Sequence, residues 1–221
     1  MGLQLDYIWD FLATVEGDCF TCGYVPSNRV SDGKGRNYVG RIVPAASKYP
    51  DFISTGEPSE YTAMGASGVT IATGCDLGQT DTDTLHAYGL PSGIINQLRP
   101  YIGLRKADAL RKLADMPLVI AHDTAALLDE CVHAGYLQKY VEPAYNRASS
   151  IKFADLPKQA QAVVFSVCFQ KGCGGVRRDW PNTWKHLTTQ NWCAAAAELQ
   201  HGFSEYVGRR KAEGELLREL C

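Results

Sequence analysis

Leu5, Ile8, Leu12 and Val15 recur at three- and four-residue spacing, and this stripe predicts an amphipathic helix over residues 3–16. Gly17 supplies its stop and leaves Glu16 in the last turn. From 18 to 66 no helical period is sustained. Pro26, Asn28, Asp32, Gly33, Gly35, Pro44, Pro50, Gly56 and Pro58 punctuate the stretch, which reads as a long irregular region with at most a small hairpin. Alternation then sets in: Val69 and Ile71 fall on one face, Thr70 and Ala72 on the other. This is a short strand running into a turn that Gly74 and Gly78 punctuate.

Beyond Asp81 the period is helical again. Asp81 opens a helix, and further helices are predicted over 91–101, 105–115, 118–133 and 136–147. Pro157 opens a strongly apolar segment, Val163, Val164, Phe165, Val167, Cys168 and Phe169, which ends at Gly172 and reads as the central buried helix. A turn at Trp180–Trp184 caps the next helix and Asn191 caps another. The last helix, 204–220, is heavily charged with an apolar face at Val207, Leu216 and Leu217.

Composition narrows the function classes. With 221 residues the chain buries a substantial core, and its formal net charge of −2 provides no global drive toward nucleic acid or acidic membranes. No apolar run approaches the ~20 residues of a membrane span, and no basic-then-apolar leader stands at the N-terminus, so a secretion system or another delivery route is expected for work outside the cytoplasm. Eight cysteines are too few for a small disulfide scaffold. Cys131, Cys168 and Cys193 lie in apolar helical contexts and read as buried free thiols. Cys19 and Cys22 have CxxC spacing, which allows a redox or zinc role as well as a disulfide. The five histidines show no ligand spacing, so no metal and no cofactor are expected.

Several side chains are candidates for chemistry. The carbonyls at the end of the first helix disfavour an ionised Glu16, which suits a general acid, although the pattern by itself favours a solvated helix-end glutamate. Thr70 is a hydroxyl on the polar strand face, or simply a β-branched residue on a sheet; Asp76 is a carboxylate in the turn, or its cap. Tyr24, Tyr38, Tyr49, Phe52 and Tyr61 either stack on a sugar or form a small local core, and Tyr24 is the one taken as substrate-binding. Gln170, at the end of the apolar helix, is a second substrate-binding candidate. Arg177, Arg178, Arg209, Arg210 and Lys211 read as solvated surface or as partners for glycan-borne carboxylates.

Taken together, Glu16-Gly17, Gly68-Val69-Thr70-Ile71 and Gly74-Cys75-Asp76-Leu77-Gly78 resemble the phage-lysozyme family, and within it the bacterial-toxin branch typified by pesticin. Val163-x-Phe165-Ser166, Phe169-Gln170-x-Gly172, Trp184, Trp192 and the Arg209-to-Leu217 run are similar too. The chain departs from the pattern at Ala72, where the family has glycine, and at Cys75, where it has an aromatic residue or histidine. Asp76 follows Thr70, as in the toxin branch but not the phage enzymes; Asp18, Asp32 and Asp51 are the alternatives.

The resemblance implies a lysozyme-like α+β fold, predominantly helical. It is expected as one domain over 1–221, with a small β-containing lobe at about 17–80 and a larger helical lobe from about 1–16 and 81–221. An insert near 25–62 would act as a lid or partner-binding surface. It also implies a muramidase with Glu16 as general acid, Asp76 as the second carboxylate and Thr70 as holder of the water. The peptidoglycan glycan strand would be the substrate and a periplasmic immunity protein a partner. A phage endolysin, or a lysozyme-like domain that binds the wall without cutting it, are the alternatives.

Overall fold

The computed structural model describes residues 2–53 and 56–221. The fold is α+β and predominantly helical, with one small sheet confined to the N-terminal part. The chain forms two compact units, Met1–Gly17 with His133–Cys221, and Asp18–Val132. The opening helix α1 (Leu5–Glu16) belongs to the first, and its C-cap Gly17 takes a φ of 92°, a conformation in which glycine is at home. Among the described residues no helix is long and apolar enough to cross a membrane.

The second unit carries the whole sheet. Its strands are β1 (Phe20–Arg29), β2 (Gly35–Tyr38), β3 (Phe52–Ile53), β4 (Tyr61–Ala63), β5 (Thr70–Ala72) and β6 (Cys75–Asp76), in the order β3-β2-β1-β5-β6 with β4 also on β1. The region expected to be irregular is therefore built around one ten-residue strand. Its turn residues misled because they sit between short strands and inside β1 itself, where Pro26, Ser27 and Asn28 pair with Asn37, Arg36 and Gly35. A bulge between Phe20 and Tyr24 shifts the register of β1 on β5. There the Gly23 amide donates to the Leu118 carbonyl, and the Ile120 amide donates to the Thr21 carbonyl.

The aromatics of this region form its own core. Phe20, Tyr24, Tyr49 and Phe52 pack ring on ring with centroids 4.6–5.3 Å apart, over Cys22, Val39, Val43 and Ala46. The unit continues through α2 (Thr82–Ala87), α3 (Ser92–Leu98), α4 (Lys106–Asp115) and most of α5 (His122–Tyr136). It thus extends past residue 80, where the small lobe was expected to end: the segment leading into α4 hydrogen-bonds to Ser67 and Leu77, beside β5 and β6, and the segment before α5 to β1.

The first unit continues with a π turn at Leu137–Val141, then α6 (Glu142–Ala148), α7 (Lys158–Lys171), α8 (Cys173–Asp179), α9 (Pro181–Thr188), α10 (Trp192–His201) and α11 (Val207–Arg218). The apolar segment is indeed its buried centre: Ala160 to Cys168 of α7 is buried at every position. Helix α8, hidden in the sequence by Gly174 and Gly175, follows directly on Gly172. Cys193, expected as a buried thiol, lies on an exposed face of α10 and is joined by a disulfide to Cys221.

Candidate functional site

The glycine-punctuated turn is organised around Asp76. Its Oδ1 accepts the Gly68 amide at 3.1 Å and the Gly78 amide at 2.8 Å, so the side chain caps the short 3-10 turn Leu77–Gln79. The capping reading of this residue is thus present in the fold. Gly68 and Gly78 cross in contact: a Cβ on Gly68 would meet the Leu104 carbonyl oxygen at 2.5 Å and the Gly78 Cα at 2.6 Å. Those two glycines let the chain approach itself, rather than a ligand. Arg105 fixes the crossing by donating Nε to the Gly78 carbonyl at 2.7 Å. Burial raises the Asp76 carboxyl above its ordinary value, against the Gly68 and Gly78 amides and the Arg105 charge.

Thr70 and Asp76 are direct partners in the β5–β6 register. Opposed residues of an antiparallel pair project to the same face, so the hydroxyl and the carboxylate stand side by side. Both are anchored on Gly68: Asp76 takes its amide, and Thr70 Oγ1 donates to its carbonyl at a long 3.5 Å. The connection between the strands, Ala72 to Gly74, has φ of 53° at Ala72 and 79° at Gly74. Ala72 therefore occupies a left-handed position that glycine takes without strain. Asp129 of α5 holds this connection, accepting the Thr73 amide at 2.9 Å and the Thr73 hydroxyl at 2.6 Å.

The neighbouring thiols are quiet. Burial, aided by Asp129, pushes Cys19 up to about 12, and burial pushes Cys22 up to about 11. Cys75, inside the turn, is likewise driven to about 12 by burial and by Asp129 and Asp76. Thiols held this far from ionisation make poor nucleophiles.

Glu16 is held by different means. At the end of α1, with its side chain 19% exposed, it accepts from Nη1 of Arg209, whose side chain is 6% exposed. Arg209 turns its other nitrogens inward. Nη2 donates to the Ser166 carbonyl and hydroxyl, both at 2.9 Å, and Nε reaches Glu213 Oε1 at 3.2 Å. Arg210 donates to Glu213 Oε1 at 2.9 Å and to the Gln170 side-chain oxygen. Arg209 and Arg210 are thus buried, and the reading of the pair as solvated or glycan-facing surface is corrected; Lys211 of the same run is exposed. Read from the sequence as a helix-end carboxyl and the candidate general acid, Glu16 is one member of a charged cluster.

Sequence comparison bears on this geometry. The family described as Pesticin, "Bacterial toxin homologue of phage lysozyme, C-term", matches residues 51–193, more than half of the 221-residue chain. The chain belongs to the pesticin family. No curated protein matches it. Membership in the pesticin family brings with it a muramidase-type, peptidoglycan-directed lysozyme fold. Its matched span contains Thr70, Asp76 and Gln170, while Glu16 precedes it and Arg209 to Glu213 follow it.

Against this frame the candidate residues separate. The sheet brings Thr70 and Asp76 together. Gln170 sits at the Arg210 end of the Glu16 cluster and has its oxygen engaged. Tyr24, taken as sugar-binding, is buried in β1 with its ring against Phe20 and Phe52, so packing has claimed it. Of the alternative aspartates, Asp18 and Asp51 are exposed, and Asp32 caps an exposed turn through the Lys34 amide at 2.9 Å. The pattern gave no role to Arg105, Asp129, Ser166 or Glu213. Only the Arg-Arg-x-x-Glu spacing, which puts three charges on one side of α11, hinted at the last.

Proposed function

We propose that the protein is a muramidase that hydrolyses the β-1,4 bond between N-acetylmuramic acid and N-acetylglucosamine in peptidoglycan. Glu16 donates its proton to the leaving O4 of N-acetylglucosamine as the glycosidic bond breaks. Thr70 holds a water, Asp76 takes that water's proton and offsets positive charge at the anomeric carbon, and the water oxygen bonds to that carbon with inversion. The observation that carries the reading is the cross-strand pairing of Thr70 with Asp76 inside the span matched by the pesticin family. The raised Asp76 carboxyl supports it, since a carboxylate that accepts a proton more readily is the better base. As a member of a bacterial-toxin family, the protein acts on the wall of a target bacterium as an effector or bacteriocin domain, and a periplasmic immunity protein is its expected antagonist.

The test is digestion of purified peptidoglycan, followed by borohydride reduction of the products and mass spectrometry. Fragments ending in reduced N-acetylmuramic acid are expected. Fragments ending in reduced N-acetylglucosamine, or released peptides alone, would overturn the assignment. A second reading, wall binding without cleavage, is favoured by the two backbone amides already on Asp76 Oδ1. It would be supported by sedimentation with peptidoglycan and no soluble product.

A further inference from the structure

Glu213 is wholly buried in α11, yet its Oε1 gathers three donors: the Ser166 hydroxyl at 2.6 Å, Arg210 Nη2 at 2.9 Å and Arg209 Nε at 3.2 Å. Three donors on one oxygen call for the carboxylate form. Burial pushes the carboxyl upward, and the two arginines and Ser166 hold the charged form against it. Arg210 lies against Trp180 and Phe203, its guanidinium carbon 5.1 and 5.8 Å from their ring centroids. The charged neighbours of Glu213 both come from its own helix. Helix α7 faces it with the neutral Ser166, and α10 meets the adjacent Gly214 with the neutral Ala196 and Gln200. Helix α1 adds Glu16 through Arg209.

We infer that Glu213 is a positioning residue for Glu16: it anchors the Arg209 guanidinium from behind and fixes the net charge that the Glu16 carboxyl meets. Two arginines and two glutamates sum to zero, and Glu16 is the most exposed of the four side chains. With Nε and Nη2 held by Ser166 and Glu213, Arg209 can present only Nη1 outward. Were Glu213 neutral, two positive charges would face one carboxylate. The ionised form of Glu16 would gain, and the proton that a general acid must carry would be lost at lower pH.

This rests on the reading of Glu16 as proton donor, so the test has two arms. In Glu213→Gln, which keeps an oxygen at the hub, kcat is expected to fall about tenfold or more, within the range of a general-acid contribution. The alkaline limb of its kcat/KM profile should move down by roughly one pH unit. In Arg210→Met the limb should move up, and in Glu213→Gln/Arg210→Met, which restores the balance, it should return close to wild type. The second arm follows the Glu16 carboxyl carbon by NMR titration, which needs no turnover and should show the same three displacements. A wild type without turnover would sink the hydrolase reading and leave the titration to decide the role of Glu213. A Glu16 titration unmoved in folded Glu213→Gln would overturn that role. Should Glu213→Gln fail to fold, an unmoved titration in Arg210→Met would overturn it instead.

Discussion

The turn around Asp76 and the cluster around Glu16 fix a carboxylate by opposite means. Asp76 is held by main chain: two amides, a crossing of two glycines and a strand register. Glu16 is held by side chains: a buried arginine that is itself clamped by a buried glutamate and a serine. Backbone amides carry no net charge, so the first arrangement leaves burial as the leading influence on Asp76. The second brings four formal charges together, and each depends on the others. One arrangement should therefore tolerate neutralisation of its carboxylate, and the other should not tolerate loss of a partner.

The largest expected effect is on the charged cluster. Glu213→Ala leaves buried Arg210 without its counter-charge and Arg209 with Glu16 alone, and should cost about 3–5 kcal/mol in urea unfolding. A loss below about 1 kcal/mol would mean that the cluster is not a unit. At the turn the contrast lies between two substitutions. Asp76→Ala strips the acceptor from two backbone amides and should cost about 2–3 kcal/mol. Asp76→Asn keeps an oxygen for both amides, so it should stay within about 1 kcal/mol of wild type while losing most activity on peptidoglycan.

A smaller effect, of opposite sign, is expected two residues after Thr70. Ala72→Gly relieves a left-handed alanine with φ of 53° and should raise stability by about 1 kcal/mol, less the entropy that glycine adds to the unfolded chain. Unchanged or lower stability would place the strain elsewhere. The smallest effect is a pH dependence. The Asp76 carboxyl is raised in the fold above its ordinary 3.8, so its protonated form is the one that folding favours. Its stabilising contribution is complete below pH 3.8 and is lost as pH rises through the folded value. The stability of wild type relative to Asp76→Asn should decline over that window, and an increase would reverse the sign assigned to burial.

The same contrast explains what could be read from the sequence. The turn is main-chain architecture, and main-chain architecture leaves a local signature: glycines where backbones cross, an aspartate where amides need an acceptor, alternation along a strand. Gly68, Thr70, Asp76 and Gly78 announce themselves within eleven residues. The buried helix α7 and the Asn191 cap of α10 were legible for the same reason. The Glu16 cluster joins α1, α7 and α11, with Glu16 meeting Arg209 across 193 positions, and no local period encodes such a meeting. Hydrophobic patterning pointed away from it, assigning Val207 to the inner face of α11, where Val207 is exposed and Arg210 and Glu213 are buried. The sheet was obscured for a third reason: β2, β3 and β4 are too short to show a period, and the bulge breaks that of β1.

In the proposed reaction both carboxylates take part, and Glu16 would bear the larger share because it would supply the proton without which the glycosidic oxygen leaves poorly. The decisive measurement is the initial rate of reducing-end release from purified peptidoglycan by wild type and by Glu16→Gln at equal folded concentration. The assignment predicts clear turnover in wild type and a drop of about 10²–10⁴-fold in the variant, with unfolding midpoints close together. Equal rates in the two proteins would contradict it.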